Sequence, residues 1–195
     1  VFMRFAYSRL SGYVVIAGLF IALCTPVSAQ GDDVTIDVIE VADGIYMLTG
    51  QGGNIGLSVG DDGAFLIDDQ FASLTEKILD AVASVTDRPV KFVFNTHHHG
   101  DHTGGNAGLA AAGALIVAHD NVRVRLADAA AGARPVITFT DAVTFHQNGE
   151  DIHAFHVANA HTDGDGVVHF RNTNVIHAGD TFFSGRYPFI DVGSG

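Results

Sequence analysis

Six consecutive residues, His97-His98-His99-Gly100-Asp101-His102, constrain this chain more than any other feature. They crowd four imidazoles and a carboxylate into one short stretch. Neutral imidazole and carboxylate are both ligands for a borderline-soft ion such as zinc, and protonated histidines at this density would repel one another. The flanks place the cluster. Val90-Lys91-Phe92-Val93-Phe94-Asn95 is an apolar, β-rich run that reads as a buried strand. Thr103-Gly104-Gly105-Asn106 and an Ala-rich stretch from Ala107 to Gly113 read as a turn and a helix. The cluster is therefore expected on a loop between a strand end and a helix, where a rigid scaffold presents chemistry.

Asn95 to His102 resembles the signature of the metallo-β-lactamase superfamily. Ala160-His161-Thr162-Asp163-Gly164-Asp165 and His177-Ala178-Gly179-Asp180-Thr181 agree with it in order and spacing. The resemblance runs from about Val34 to the last residue. It implies an α/β fold of the α+β kind, a four-layer αββα sandwich with the metal site at one edge of the sheets. It implies two zinc sites, the first made by His97, His99 and His161, the second by Asp101, His102 and Asp180. Asp180 is expected to bridge the two ions, and Asp101 to orient the attacking water. The family pattern carries a further late His for the second site. No His follows Asp180 here, so either the domain is incomplete at its C-terminus or the second ion is weakly held.

The remaining pattern supports a single domain. Val34 to Thr49 reads as two strands joined at Asp43-Gly44, and Asn54 to Gly60 and Ala64 to Asp68 as two more. Ser73 is expected to cap a helix to Ser84, with Leu74, Ile78, Leu79 and Val82 on one face. Leu115 to Ala118 reads as a strand and Asn121 to Ala131 as a surface helix. Strands are expected at Ala142 to His146, Ile152 to Val157, Gly166 to Arg171 and Thr173 to His177. Strands, then strand–helix alternation, then strands suit two packed sheets with helices outside.

Residues 1–29 read as a secretory signal peptide. Arg4 and Arg9 precede the apolar run Val14 to Cys24, and Val27-Ser28-Ala29 forms an A-x-A-like cleavage site. The apolar run is short for a membrane span. A domain over residues 30–195, periplasmic or secreted, is the expectation. Cys24, the single cysteine, leaves with the leader, so the mature protein has no thiolate ligand. The formal net charge of -12 argues against nucleic acid as a partner and for a small-molecule substrate.

Some candidates lie outside the three motifs. Asp68, at the end of an apolar strand, is a candidate for fixing a ligand ring. Gln51 to Asn54 is expected to overhang the metals as a mobile loop. Arg186 and Tyr187 follow Asp180 closely, and Arg186 could grip a substrate carboxylate. His98, His119, His146, His153, His156, His169 and His177 are read as structural. The expected chemistry is zinc-dependent hydrolysis of an acyl carbonyl. A β-lactam substrate suits export, although no Lys follows Asp180. A thioester or lactone is the alternative, because Gly179-Asp180-Thr181 also resembles the glyoxalase II type. A redox enzyme holding iron and a non-catalytic zinc-binding member are the other readings.

Overall fold

The computed structural model describes residues 33–195. The leader expectation for residues 1–29 lies outside them. Eleven strands form two sheets. The larger runs in chain order: β1 (Asp37–Ala42), β2 (Ile45–Thr49), β3 (Ile55–Ser58), β4 (Ala64–Ile67), β5 (Val90–Asn95), β6 (Leu115–His119) and β7 (Ile137–Phe139). Its first four strands pair antiparallel and the last four parallel. The smaller sheet is wholly antiparallel, ordered β11 (Val175–His177), β10 (Gly166–Phe170), β9 (Glu150–His156), β8 (Ala142–Gln147).

The parallel strands β4, β5 and β6 are largely buried on both faces, which is why they read as apolar runs. Leu66, Val93 and Ile116 face the helix side, joining Leu74, Ile78 and Val82. Their neighbours Phe65, Ile67, Phe94 and Val117 point the other way, onto Ile152, Ala154, Val168 and Phe170 of the small sheet. The period-two alternation of a strand thus builds two cores, one under helices α1 (Thr75–Ala83) and α3 (Asn106–Ala111), the other between the sheets. The small sheet is tied to the end of β5 at Gly166, whose backbone N–H donates to the Thr96 carbonyl at 2.7 Å. A Cβ on Gly166 would lie 2.9 Å from the Phe94 ring, so only glycine permits this approach.

Three local expectations need correction, and one strand went unread. Ser73 does not cap α1; it sits inside a 3-10 turn, Ala72–Leu74, and Leu74 occupies the cap position. The metal motif is not all loop, because Gly100–Thr103 forms one helical turn, α2. The helix expected over Asn121 to Ala131 is shorter and shifted, α4 (Asp120–Arg125). Its chain must straighten so that Val136 N–H reaches the Ile116 carbonyl and β7 can join the sheet. β7 itself, three residues long, has too little pattern to be read from sequence.

Among the described residues no helix is long and apolar enough to cross a membrane.

Candidate metal centre

The loops that follow β4, β5, β9 and β11 meet at one edge of the two sheets. They bring Asp68, His97 to His102, His161 and Asp180 together. His97 Nε2 lies 3.1 Å from His99 Nδ1, which lies 3.0 Å from His161 Nε2. His97, His99 and His161 form one group that could hold an ion, and His97, His102 and Asp180 form another. Asp180 faces both, with Oδ1 3.4 Å from His102 Nε2 and Oδ2 3.7 Å from His161 Nε2. Asp101 Oδ2 stands 3.6 Å from His102 Nε2.

The outward nitrogen of each ring has a partner that fixes its proton. Phe189 C=O accepts from His161 Nδ1 at 2.7 Å, and Asp191 Oδ2 accepts from His99 Nε2 at 3.1 Å. Asp68 Oδ2 accepts from His102 Nδ1 at 2.8 Å and from the Thr96 hydroxyl at 2.8 Å. The Thr96 hydroxyl, its own proton committed, accepts from His97 Nδ1 at 3.0 Å. A neutral imidazole has one N–H and one lone pair. With His102 in its neutral form, all four inward nitrogens present lone pairs. Three of them crowd together with no proton left to share, and His102 Nε2 is buried without a hydrogen-bond partner. Such a set is a poor hydrogen-bonded core and a good cation cradle. Burial, then the neighbouring His102, His161 and His99, hold the His97 imidazole well below its ordinary range. Burial also acts against a charged His102, but Asp68, Asp180 and Asp101 outweigh it and push that ring up to about 9.

Backbone and buried carboxylates shape the loops. Asp68 turns the chain at φ +65°, and its Oδ1 also takes the Thr96 N–H at 2.7 Å. Asp165 accepts from the N–H groups of His161 at 2.6 Å and Thr162 at 2.8 Å, and from the Thr162 hydroxyl at 2.6 Å. Asp69 is buried beside Asp68; burial above all raises its carboxyl well above the usual range. Sequence reading passed over Asp165, Asp191 and Thr96. The first has a local signal, an acid two residues after Asp163 in a Gly-bearing turn. The link from Asp191 to His99 spans 92 positions and has none.

The other histidines sit elsewhere. His98 belongs to neither of these ligand groups; it neighbours Arg125, Asp163 and Asp191, and with His99 and Asp191 it forms a third set. His119 accepts from Asn121 N–H at the start of α4 and stacks on His156 at 3.9 Å. His146 pairs with Asp151, His153 with Thr144, and His169 with Asn174. His177 donates to the Asn54 carbonyl and accepts from Gly179 N–H, so it ties the Gln51 to Asn54 loop to the Asp180 turn. That loop is further held by Gln70, which donates to the Gly53 carbonyl at 2.6 Å and accepts from Gln51 N–H at 3.2 Å. It lies against His102 and is hydrogen-bonded at both ends.

A cavity of about 560 Å³ opens beside His102 and Asp180, walled by β2, β3 and β11 and by Phe183 and Arg186. Arg186 lies over the Phe183 ring at 5.2 Å. Tyr187 is 95% exposed and is not part of the cavity wall.

Fold and site define a class: an α/β sandwich whose sheet edge carries clustered histidines and carboxylates fit to hold metal ions. The chain belongs to the metallo-beta-lactamase superfamily, whose sequence model matches residues 48–195. It is similar to a hydroxyacylglutathione hydrolase of Pelagibacter ubique (strain HTCC1062), 32% identical over 96 residues, 49% of this chain and 37% of that protein. The chain thus aligns with little more than a third of that relative's length. In fold it is similar to a metallo-beta-lactamase from Pontibacter korlensis, with a TM-score of 0.65 and 22% identity over 74% of this chain and 71% of the other. It is also similar to the DIM-1 metallo-beta-lactamase, with a TM-score of 0.65 and 17% identity over 75% and 70% of the two chains.

Proposed function

We propose that this protein is a zinc-dependent hydrolase that cleaves an acyl substrate. The observation that carries this reading is the convergence of the inward lone pairs of His97, His99, His161 and His102, each fixed by an outward hydrogen bond. His97, His99 and His161 would hold one ion; Asp101, His102 and Asp180 would hold the other. Bound there, zinc supplies acidification of coordinated water and polarisation of a carbonyl oxygen. The protein's own groups then do the positioning. Asp180 turns one oxygen to each group, so a single carboxylate sets their spacing. Asp101, whose side chain is 38% exposed, reaches the open side and can accept a hydrogen bond from the attacking water through Oδ2. The cavity beside His102 takes the acyl portion, and Arg186 on its wall offers a guanidinium to a substrate carboxylate.

The relative from Pelagibacter ubique, named for hydrolysis of a glutathione thioester, favours a thioester as the acyl substrate. The leader reading of residues 1–29 favours an exported enzyme, and a β-lactam is the substrate that location would supply. A hydrolysis screen of the zinc-loaded protein against thioesters, lactones and β-lactams tests the proposal. Turnover of one class, lost by orders of magnitude in Asp180→Ala while circular dichroism is unchanged, is the expected result. Absence of turnover on all three classes by protein that holds zinc would refute it.

A further inference from the structure

We infer that the segment Phe189 to Ser194 is the positioning element of the three-histidine group, fixing which nitrogen of both His99 and His161 carries the proton. The inference rests on the zinc reading of that group and adds residues to it.

Neither ring is oriented by its own loop alone. The Phe189 carbonyl can only accept, so the proton of His161 stays on Nδ1 and the lone pair on Nε2, the inward atom. A carboxylate likewise only accepts, so Asp191 holds the proton of His99 on Nε2 and leaves Nδ1 inward. The two rings need opposite tautomers, and one short stretch of chain enforces both, through a backbone carbonyl and a side-chain carboxylate. A ring in the wrong tautomer would turn an N–H toward the ion and cease to be a ligand.

The segment is itself braced. Asp191 N–H donates to the His161 carbonyl at 2.9 Å, locking it to the His161 loop. Asp191 Oδ1 takes the Gly193 N–H at 3.0 Å, and Oδ2 takes the Ser194 hydroxyl at 2.7 Å. Arg125 pairs with Asp163 at 2.8 Å and reaches the Gly193 carbonyl at 3.4 Å, which ties α4, the His161 loop and the segment together. The carboxylate is therefore aimed at His99 by its own turn. Partners of this outer kind are worth tenfold to a hundredfold in metal affinity.

The test is zinc competition against a chelator, with ring-nitrogen NMR of the metal-free protein. Asp191→Ala should weaken the tighter zinc site by about ten- to a hundred-fold and give His99 a mixture of tautomers. Asp191→Asn can keep an oxygen on His99 by turning its NH2 toward the exposed Gly193 N–H, which water can satisfy, and should lose less; Ser194→Ala, which leaves the carboxylate in place, should lose less still. These two milder variants also serve if Asp191→Ala fails to fold. Unchanged zinc affinity in Asp191→Ala and Asp191→Asn, with His99 still protonated on Nε2, would overturn the inference and leave the zinc reading standing. Failure of the wild-type protein to hold zinc would instead remove both.

Discussion

Asp68→Asn replaces one oxygen by an amide nitrogen and should take the second ion from the centre. Asp68 is fully buried and accepts three hydrogen bonds, from Thr96 N–H, the Thr96 hydroxyl and His102 Nδ1. An asparagine can keep Oδ1 on the Thr96 N–H, 2.7 Å away. Flipped, it would press an NH2 against that donor. In the tolerated orientation Nδ2 donates toward both Thr96 Oγ1 and His102 Nδ1. The His102 proton must then move to Nε2, where the lone pair for metal had been. The Thr96 hydroxyl loses its acceptor and His102 exchanges a bond to a charge for a neutral one. At about 1.5–3 kcal/mol for a bond to a charged group and about 1–3 for a buried donor left unpaired, with partial compensation, the cost is about 2–4 kcal/mol. For a domain of this size that lowers Tm by about 4–16 °C. The second ion should weaken by about 10–100-fold, and the first should weaken less, because Asp191 and Phe189 still fix His99 and His161 and only the Thr96 hydroxyl on His97 is disturbed. Scanning calorimetry of the metal-free variant and chelator competition on the loaded one read the two effects. Two ions held at wild-type affinity would refute the tautomer argument.

Other outcomes follow from the same geometry. His97→Ala or His99→Ala should abolish tight zinc binding in metal analysis, and His98→Ala should retain it; equal loss in all three would mean that the alternation is misread. Gly53→Ala would drive a Cβ into the His102 ring, so His102 must shift off Asp68; the variant should keep one zinc, lose the second and melt below wild type, and two bound zincs would count against it. The metal-free protein should be most stable near pH 6.5. Below it, the unfolded chain takes up protons at His97, His98, His119 and His153, whose folded pKa values burial lowers from 6.5, so stability falls toward acid. The raised carboxyl of Asp69 opposes this with one proton against four. Above it, the charged form of His102 is favoured only in the folded state, and that contribution is lost as pH rises through about 9. Urea midpoints in chelator from pH 5 to 10 should trace a dome; a monotonic rise toward acid would contradict it.

The sequence by itself determined the strand–turn–helix setting of His97 to His102, most strand positions and the residues that converge on the metal centre. Those signals are local: period-two alternation, a dense ligand motif, Gly-bearing turns. Even Asp68 was legible, because an acid directly closing the apolar run Ala64 to Ile67 has no reason to be buried without a partner. Tertiary structure alone decided the ring tautomers. His99 takes its proton partner from Asp191, His161 from the Phe189 carbonyl, and His102 from Asp68, across separations of 92, 28 and 34 residues. A hydrogen bond is set by where two sheets and their loops place an acceptor, and no spacing in the chain encodes that. The same holds for the Gln51 to Asn54 loop, whose partners Gln70 and His177 reach it across 19, 17 and 123 positions.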